Sequence, residues 1–77
     1  MIDEVIKMLE ANPFRPFTIW TSGGDVYAVA SRDHAHITPR GNQVVVMFED
    51  DTVLVVAGLH ITAVGTAPPI PEPVAGA

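Results

Sequence analysis

Residues 12–29 read NPFRPFTIWTSGGDVYAV, and the chain changes its hydrophobic period inside this stretch. From Phe17 the side chains alternate, with Phe17 and Ile19 on one face and Thr18 and Trp20 on the other, which is the period of a strand. Ser22, Gly23, Gly24 and Asp25 follow as a hairpin-turn signal, because glycine supplies the positive φ that a tight reversal needs. Val26 to Ser31 then run back as a second strand. Pro13 and Pro16 fit the entry to a sheet: the first ends whatever precedes it, and the second stands at a strand start, where no ladder donor is lost. Phe14 and Phe17 anchor the chain as it turns, and Arg15 between them is expected to expose its head over a buried stem. The stretch reads as a hinge and a first hairpin, not as a binding loop.

Upstream, MIDEVIKMLEAN carries Ile2, Val5, Ile6 and Leu9 at helical spacing, with Asp3 and Glu4 placed to favour the positive end of the helix dipole. A helix of this length needs tertiary packing to persist. Downstream, a short strand AHIT is followed by a turn at PRGN. A hairpin QVVVMF/TVLVVA across EDD comes next, and a final strand begins at LHITAV. No helix-length crossover separates these strands, so the pairing is expected to be antiparallel. The fold class expected is mainly β (α+β): a short N-terminal helix, then five to six short strands in a strongly bent meander or small barrel. One domain is expected over 1–65. A proline-rich tail over 66–77, with Pro68, Pro69, Pro71 and Pro73, is expected to be extended and disordered; its ordinary reading is a frayed terminus, and the alternative is a proline-rich ligand for another domain.

Composition bounds the function. The chain of 77 residues has no cysteine, which removes disulfides and thiolate metal sites and fits a reducing compartment, expected to be the cytoplasm. No signal-like start and no apolar run long enough for a membrane span are present. Lys7, Arg15, Arg32 and Arg40 are scattered singly in a chain of net charge −5, which counts against nucleic acid and anionic membranes. Charged residues make up 17% and hydrophobic ones 48%, more apolar matter than so small a domain can hide in its own core. That excess points to a protein partner, most simply a second copy.

Few residues carry chemistry. His34 and His36 share a strand face, as two metal ligands would, and His60 is the one conceivable third; the reading adopted is three ordinary histidines and no metal or other cofactor. Glu49, Asp50 and Asp51 lack the ligand alternation of a calcium loop. Ser22 and Ser31 stand in no nucleophile motif, so no enzyme is expected. The hairpin over 43–57 is apolar on both faces, whereas a solvated sheet shows polar residues outside. Either the helix and a tight bend cover that face within one chain, or it is a subunit interface, whose expected residues are Trp20, Val45, Met47, Leu54 and Val56, with edge pairing into a dimer or ring as one form of contact.

Phe14, Arg15, Pro16, Phe17, Gly24, Asp33, Pro39 and Gly41 reproduce the pattern of a group of small, uncharacterised bacterial proteins, which the chain resembles as far as Val64. That resemblance implies a short helix, a PFRPF opening and a glycine-bearing hairpin, and no activity. In layout alone the chain is similar to Sm-like and SH3-like small barrels. The Sm-like likeness implies ring formation and RNA binding, through Arg15, Arg32 and Arg40 if those converge. The function expected is a non-enzymatic protein–protein or self-assembly module, with an Sm-like oligonucleotide binder as the alternative and a histidine metal module third.

Overall fold

A computed structural model describes residues 1–66. Helix α1 spans Ile2–Glu10; strands follow at β1 (Phe17–Thr21), β2 (Val26–Val29), β3 (Ala35–Ile37), β4 (Gln43–Met47), β5 (Val53–Ala57) and β6 (Ile61–Gly65). The proline-rich segment assigned to 66–77 lies, from residue 67 on, outside the described residues. The protein is mainly β, as its periodicity predicts. It is not a barrel. The strands form two antiparallel three-stranded sheets, ordered β2-β1-β6 and β3-β4-β5. Short 3-10 turns at Arg32–His34 and Gly58–His60 occupy the two crossings between sheets. A 3-10 turn takes the backbone out of the extended conformation, so no ladder joins β2 to β3 or β5 to β6 there.

Two of the hairpins use one device. In the β1–β2 loop the Gly24 amide donates to the Thr21 carbonyl (3.1 Å) and the Thr21 amide to the Asp25 carbonyl (3.0 Å). In the β4–β5 loop the Asp51 amide donates to the Phe48 carbonyl (2.9 Å) and the Phe48 amide to the Thr52 carbonyl (2.9 Å). Each is a three-residue loop whose last residue has positive φ, 86° at Gly24 and 69° at Asp51. Asp50 braces the second: its carboxylate accepts from the Thr52 hydroxyl (2.6 Å) and amide (3.1 Å), and these bonds hold its pKa below the ordinary carboxylate value. Between β3 and β4, Pro39 takes the first central place of a turn closed by the Gly41 amide on the Thr38 carbonyl (2.8 Å).

The core lies between the sheets and under α1. Val5, Phe17, Ile19, Val29, Ala35, Val44, Val46, Val56 and Ile61 form one buried cluster. From the helix, Ile2, Met8 and Leu9 pack against it beside Val5, so Met8 takes the place the sequence gives to Ile6. The helix ends at Glu10, ahead of a cis Asn12–Pro13 bond. Among the described residues no helix is long and apolar enough to cross a membrane.

Arg32, not Arg15, fastens the helix to the sheets. Its Nε donates to the Leu9 carbonyl (2.8 Å) and a terminal nitrogen to the Ala11 carbonyl (2.7 Å), while the guanidinium stands 5.5 Å from the Phe14 ring centroid. A cation that satisfies the orphan carbonyls at a helix C-terminus also complements the dipole there. Arg32→Ala is expected to cost about 1–2 kcal/mol, lowering Tm by roughly 5–15 °C, because two charge-assisted bonds are lost at a solvated site. Arg32→Lys should recover less than half, since an ammonium cannot fork to two carbonyls. Thermal denaturation by circular dichroism reads both; an unchanged Tm for the alanine variant would remove the strap.

Candidate functional site

β5 is the part of the protein that its own fold leaves unfinished. It closes a sheet whose order is β3-β4-β5, so among the described residues no strand pairs with one long side of it. Its sequence, VLVVA, contains no charge, proline or lysine of the kind that blunts natural edges. Val53, Leu54 and Val55 are 55%, 37% and 52% exposed, three consecutive aliphatic residues in water. Leu59, just beyond the strand, is 84% exposed.

The β4–β5 register divides the hairpin into faces. Val44 pairs with Val56 and Val46 with Leu54, while Val45 pairs with Val55 and Met47 with Val53. Partners directly opposite share a face, so the core face carries Val44, Val46, Leu54 and Val56. The outer face carries Val45, Met47, Val53 and Val55, and β3 adds the exposed His36 opposite Val45. The predicted interface set therefore mixes two faces. Val45 and Met47 are half-buried on the outer one; Leu54 and Val56 belong to the core side, and Val56 is buried. Val53 and Val55 are the outer-face residues that the sequence reading missed.

Trp20 is also placed differently from the expectation. It is 4% exposed, opposite Val26 on one side and Ala63 on the other. β1 is the central strand of its sheet, and Phe17, Thr18, Ile19 and Trp20 are all buried. A bulge falls between Trp20 and Thr21 against β6, where the Thr62 hydroxyl donates to the Trp20 carbonyl (3.3 Å). Trp20 offers a partner no free surface.

The hydrogen bonds show which backbone groups β5 leaves open. The Phe48 amide donates to the Thr52 carbonyl (2.9 Å) at one end of the hairpin, and the Gly58 amide to the Asn42 carbonyl (2.8 Å) at the other. Hydrogen-bonded pairs alternate along an antiparallel ladder. With the register between these ends, Leu54 and Val56 turn their amides and carbonyls toward β4. Val53, Val55 and Ala57 turn theirs to the open side.

Beside that open side lies a groove of 370 Å³, lined by Thr21, Ser22, Asp25 and Tyr27 across from Leu54 to Ala57, with His60 at one end. Burial, and then the neighbouring Asp25 carboxylate with its hydrogen bond, push the Tyr27 phenol above its ordinary pKa. Ser22 Oγ and His60 Nδ1 are hydrogen-bonded at 3.3 Å, in the open. That pair resembles a nucleophile and its base, but among the described residues no carboxylate bonds the ring to orient it.

The remaining candidates do not converge. His34 is hydrogen-bonded to Ser31 in the first 3-10 turn, His36 faces outward on β3, and His60 holds Ser22 at the groove. Among the described residues no three metal-ligating side chains come together. Of the three arginines, Arg32 spends its donors on α1, Arg15 is exposed in the helix–strand connection and Arg40 is exposed in the β3–β4 turn. No family model matches the chain, and no curated protein or solved structure matches it either.

Proposed function

We propose that this protein is a non-enzymatic association module that assembles with itself through β5 and the outer face of its sheet. The observation that carries this reading is the run Val53, Leu54 and Val55, exposed on an uncharged edge strand. Exposed aliphatic edges template pairing with another chain, and selection normally blunts them. The other edges are blunter: β3 is three residues long and ends before Pro39, β2 is four residues long, follows the charged Asp25 and exposes only Ala28, and β6 carries Thr62. Covering β5 removes apolar surface from water, at roughly 25 cal/mol per Å², and satisfies its open backbone groups together.

The similarity to Sm-like and SH3-like barrels is one of layout, and it bears on assembly more than on RNA. An oligonucleotide site would need Arg32, whose donors already serve the helix. Light scattering after size exclusion, over a dilution series, tests the proposal. The untagged protein should show a mass above one chain that falls on dilution. Val53→Lys should be monomeric at every concentration with an unchanged circular dichroism spectrum, since Val53 is 55% exposed and its loss opens no cavity. A wild-type protein that is monomeric from micromolar to millimolar concentration would defeat the reading.

A further inference from the structure

We propose that the occupant of the β5 edge is the β5 strand of a second copy, antiparallel and centred on Val55. This rests on the self-assembly reading and adds its geometry. The open groups of Val53, Val55 and Ala57 repeat at every second residue, and a twofold axis at Val55 sets each of them against another open residue. Val55 meets Val55 of the second copy, and Val53 meets its Ala57. This register uses all five residues of Val53–Ala57 on both chains. A shift by an odd number of residues would bring open groups against closed ones and lose the bonds.

Charge selects the direction. Parallel, in-register strands would put the acidic turns Glu49, Asp50 and Asp51 of both copies side by side, in a chain that already carries a net charge of −5. The antiparallel arrangement sends each turn to the far end of the other strand. There it lies at the end of the second copy's β5 from which Gly58–His60 departs, near Leu59, at 84% the most exposed large hydrophobic residue among the described residues. Packing agrees as well. Leu54 gains Val56 of the second copy on the core side, and on the outer side Val55 meets its counterpart, so that the Val45, Met47, Val53 and Val55 patches of the two copies become one surface. The product is a single six-stranded sheet, β3-β4-β5 continued by its symmetry mate. Unlike a head-to-tail ring, it closes at two chains.

The native chain has no cysteine, so single-cysteine variants report the register without background. In the proposed dimer the two Val55 Cα atoms stand about 5.5 Å apart, as in hydrogen-bonded antiparallel pairs, and within the span of a disulfide. The two Val53 positions are offset by four residues, roughly 13 Å, which is beyond it. Under mild oxidation Val55→Cys should become a covalent dimer at least ten-fold faster than Val53→Cys. Mixing Val53→Cys with Ala57→Cys should give the mixed dimer. If light scattering shows a dimer yet Val53→Cys links to itself as fast as Val55→Cys, the register is wrong while self-assembly survives. Masses beyond two chains overturn the twofold pairing, and a monomer throughout overturns both proposals. Amide exchange on the unmodified protein gives an independent reading. Leu54 and Val56 should be protected at every concentration, whereas Val53, Val55 and Ala57 should gain protection only as the protein is concentrated; protection of all five in dilute solution would refute the assignment of open groups.

Discussion

Ile19→Ala is expected to leave the protein close to its folding threshold at room temperature. Ile19 is fully buried, on the core face of the central strand of its sheet, opposite Tyr27 on β2 and Val64 on β6. Both sheets and α1 contribute to the cluster around it, so the cavity left by three lost carbons has little freedom to collapse. Substitutions of this kind cost about 2–5 kcal/mol. A core of this size, with no disulfide, supplies roughly 3–5 kcal/mol in all. The expected fall in Tm is about 15–25 °C, with substantial unfolding at 25 °C. Trp20 is the readout: as the single tryptophan, 4% exposed in the folded chain, it should shift its emission to longer wavelength as the population unfolds. Glu10→Ala, at an exposed position of α1, is the control. A variant within a few degrees of wild type would mean that Ile19 is not where the core is. Assembly through β5 would soften the loss at high protein concentration, because binding to the folded state adds to its stability, so the measurement belongs at the dilute end of the series.

What the sequence made legible was local. The switch from helical to alternating period falls where α1 gives way to β1, and the loops at 22–24 and 49–51 announce themselves by their turn residues. The register of the β4–β5 hairpin was legible too, although the sequence reading did not extract it. A three-residue loop at 49–51 pairs Phe48 with Thr52, and counting back sets Val45 against Val55 and Met47 against Val53. That count alone separates the outer face from the core face and replaces Leu54 and Val56 by Val53 and Val55.

The rest was set by contacts distant in the chain. Trp20 alternates with Ile19 and so reads as the solvent side of a strand. It is buried all the same, in a strand flanked by β2 and by β6, some forty residues later, where the Gly65 position stands beside its ring. Barrel closure failed on a similar ground. SRDH and GLH read as loop and strand start, but each coils into a 3-10 turn at the crossing where a ladder would have to continue. Arg32 has no sequence signal for its role, since its partners are main-chain carbonyls of a helix more than twenty residues earlier. The edge itself was visible as a surplus of valine. Its identity as an edge needed the strand order.

Gly58→Ala should produce the second large loss of stability, and its origin can be separated from ordinary glycine effects. A Cβ at Gly58 would run into Ile2 Cγ1 and lie 3.1 Å from the Asn42 carbonyl oxygen, the same oxygen that accepts the Gly58 amide. The glycine is therefore what lets α1 lie down on the end of the β4–β5 hairpin. Of the two obstacles, the Ile2 side chain is the nearer, and it cannot swing away freely because it packs against the core. Overfilling a packed contact costs about 1–3 kcal/mol, and here the alternative to strain is lifting the first turn of a helix that cannot stand alone. The expected Tm loss is roughly 8–20 °C. Ile2→Ala alone should cost less, because Ile2 is only half-buried. If the clash with Ile2 is the cause, the double variant should be more stable than the two single losses predict by about 1 kcal/mol or more, the coupling expected of residues in contact. Strict additivity would instead assign the loss to the Asn42 carbonyl and the hairpin end. Neither substitution touches Val53 or Val55, so the folded fraction of each variant should still assemble as the wild type does. A variant that folded yet stayed monomeric would tie assembly to the seating of α1 rather than to the β5 edge.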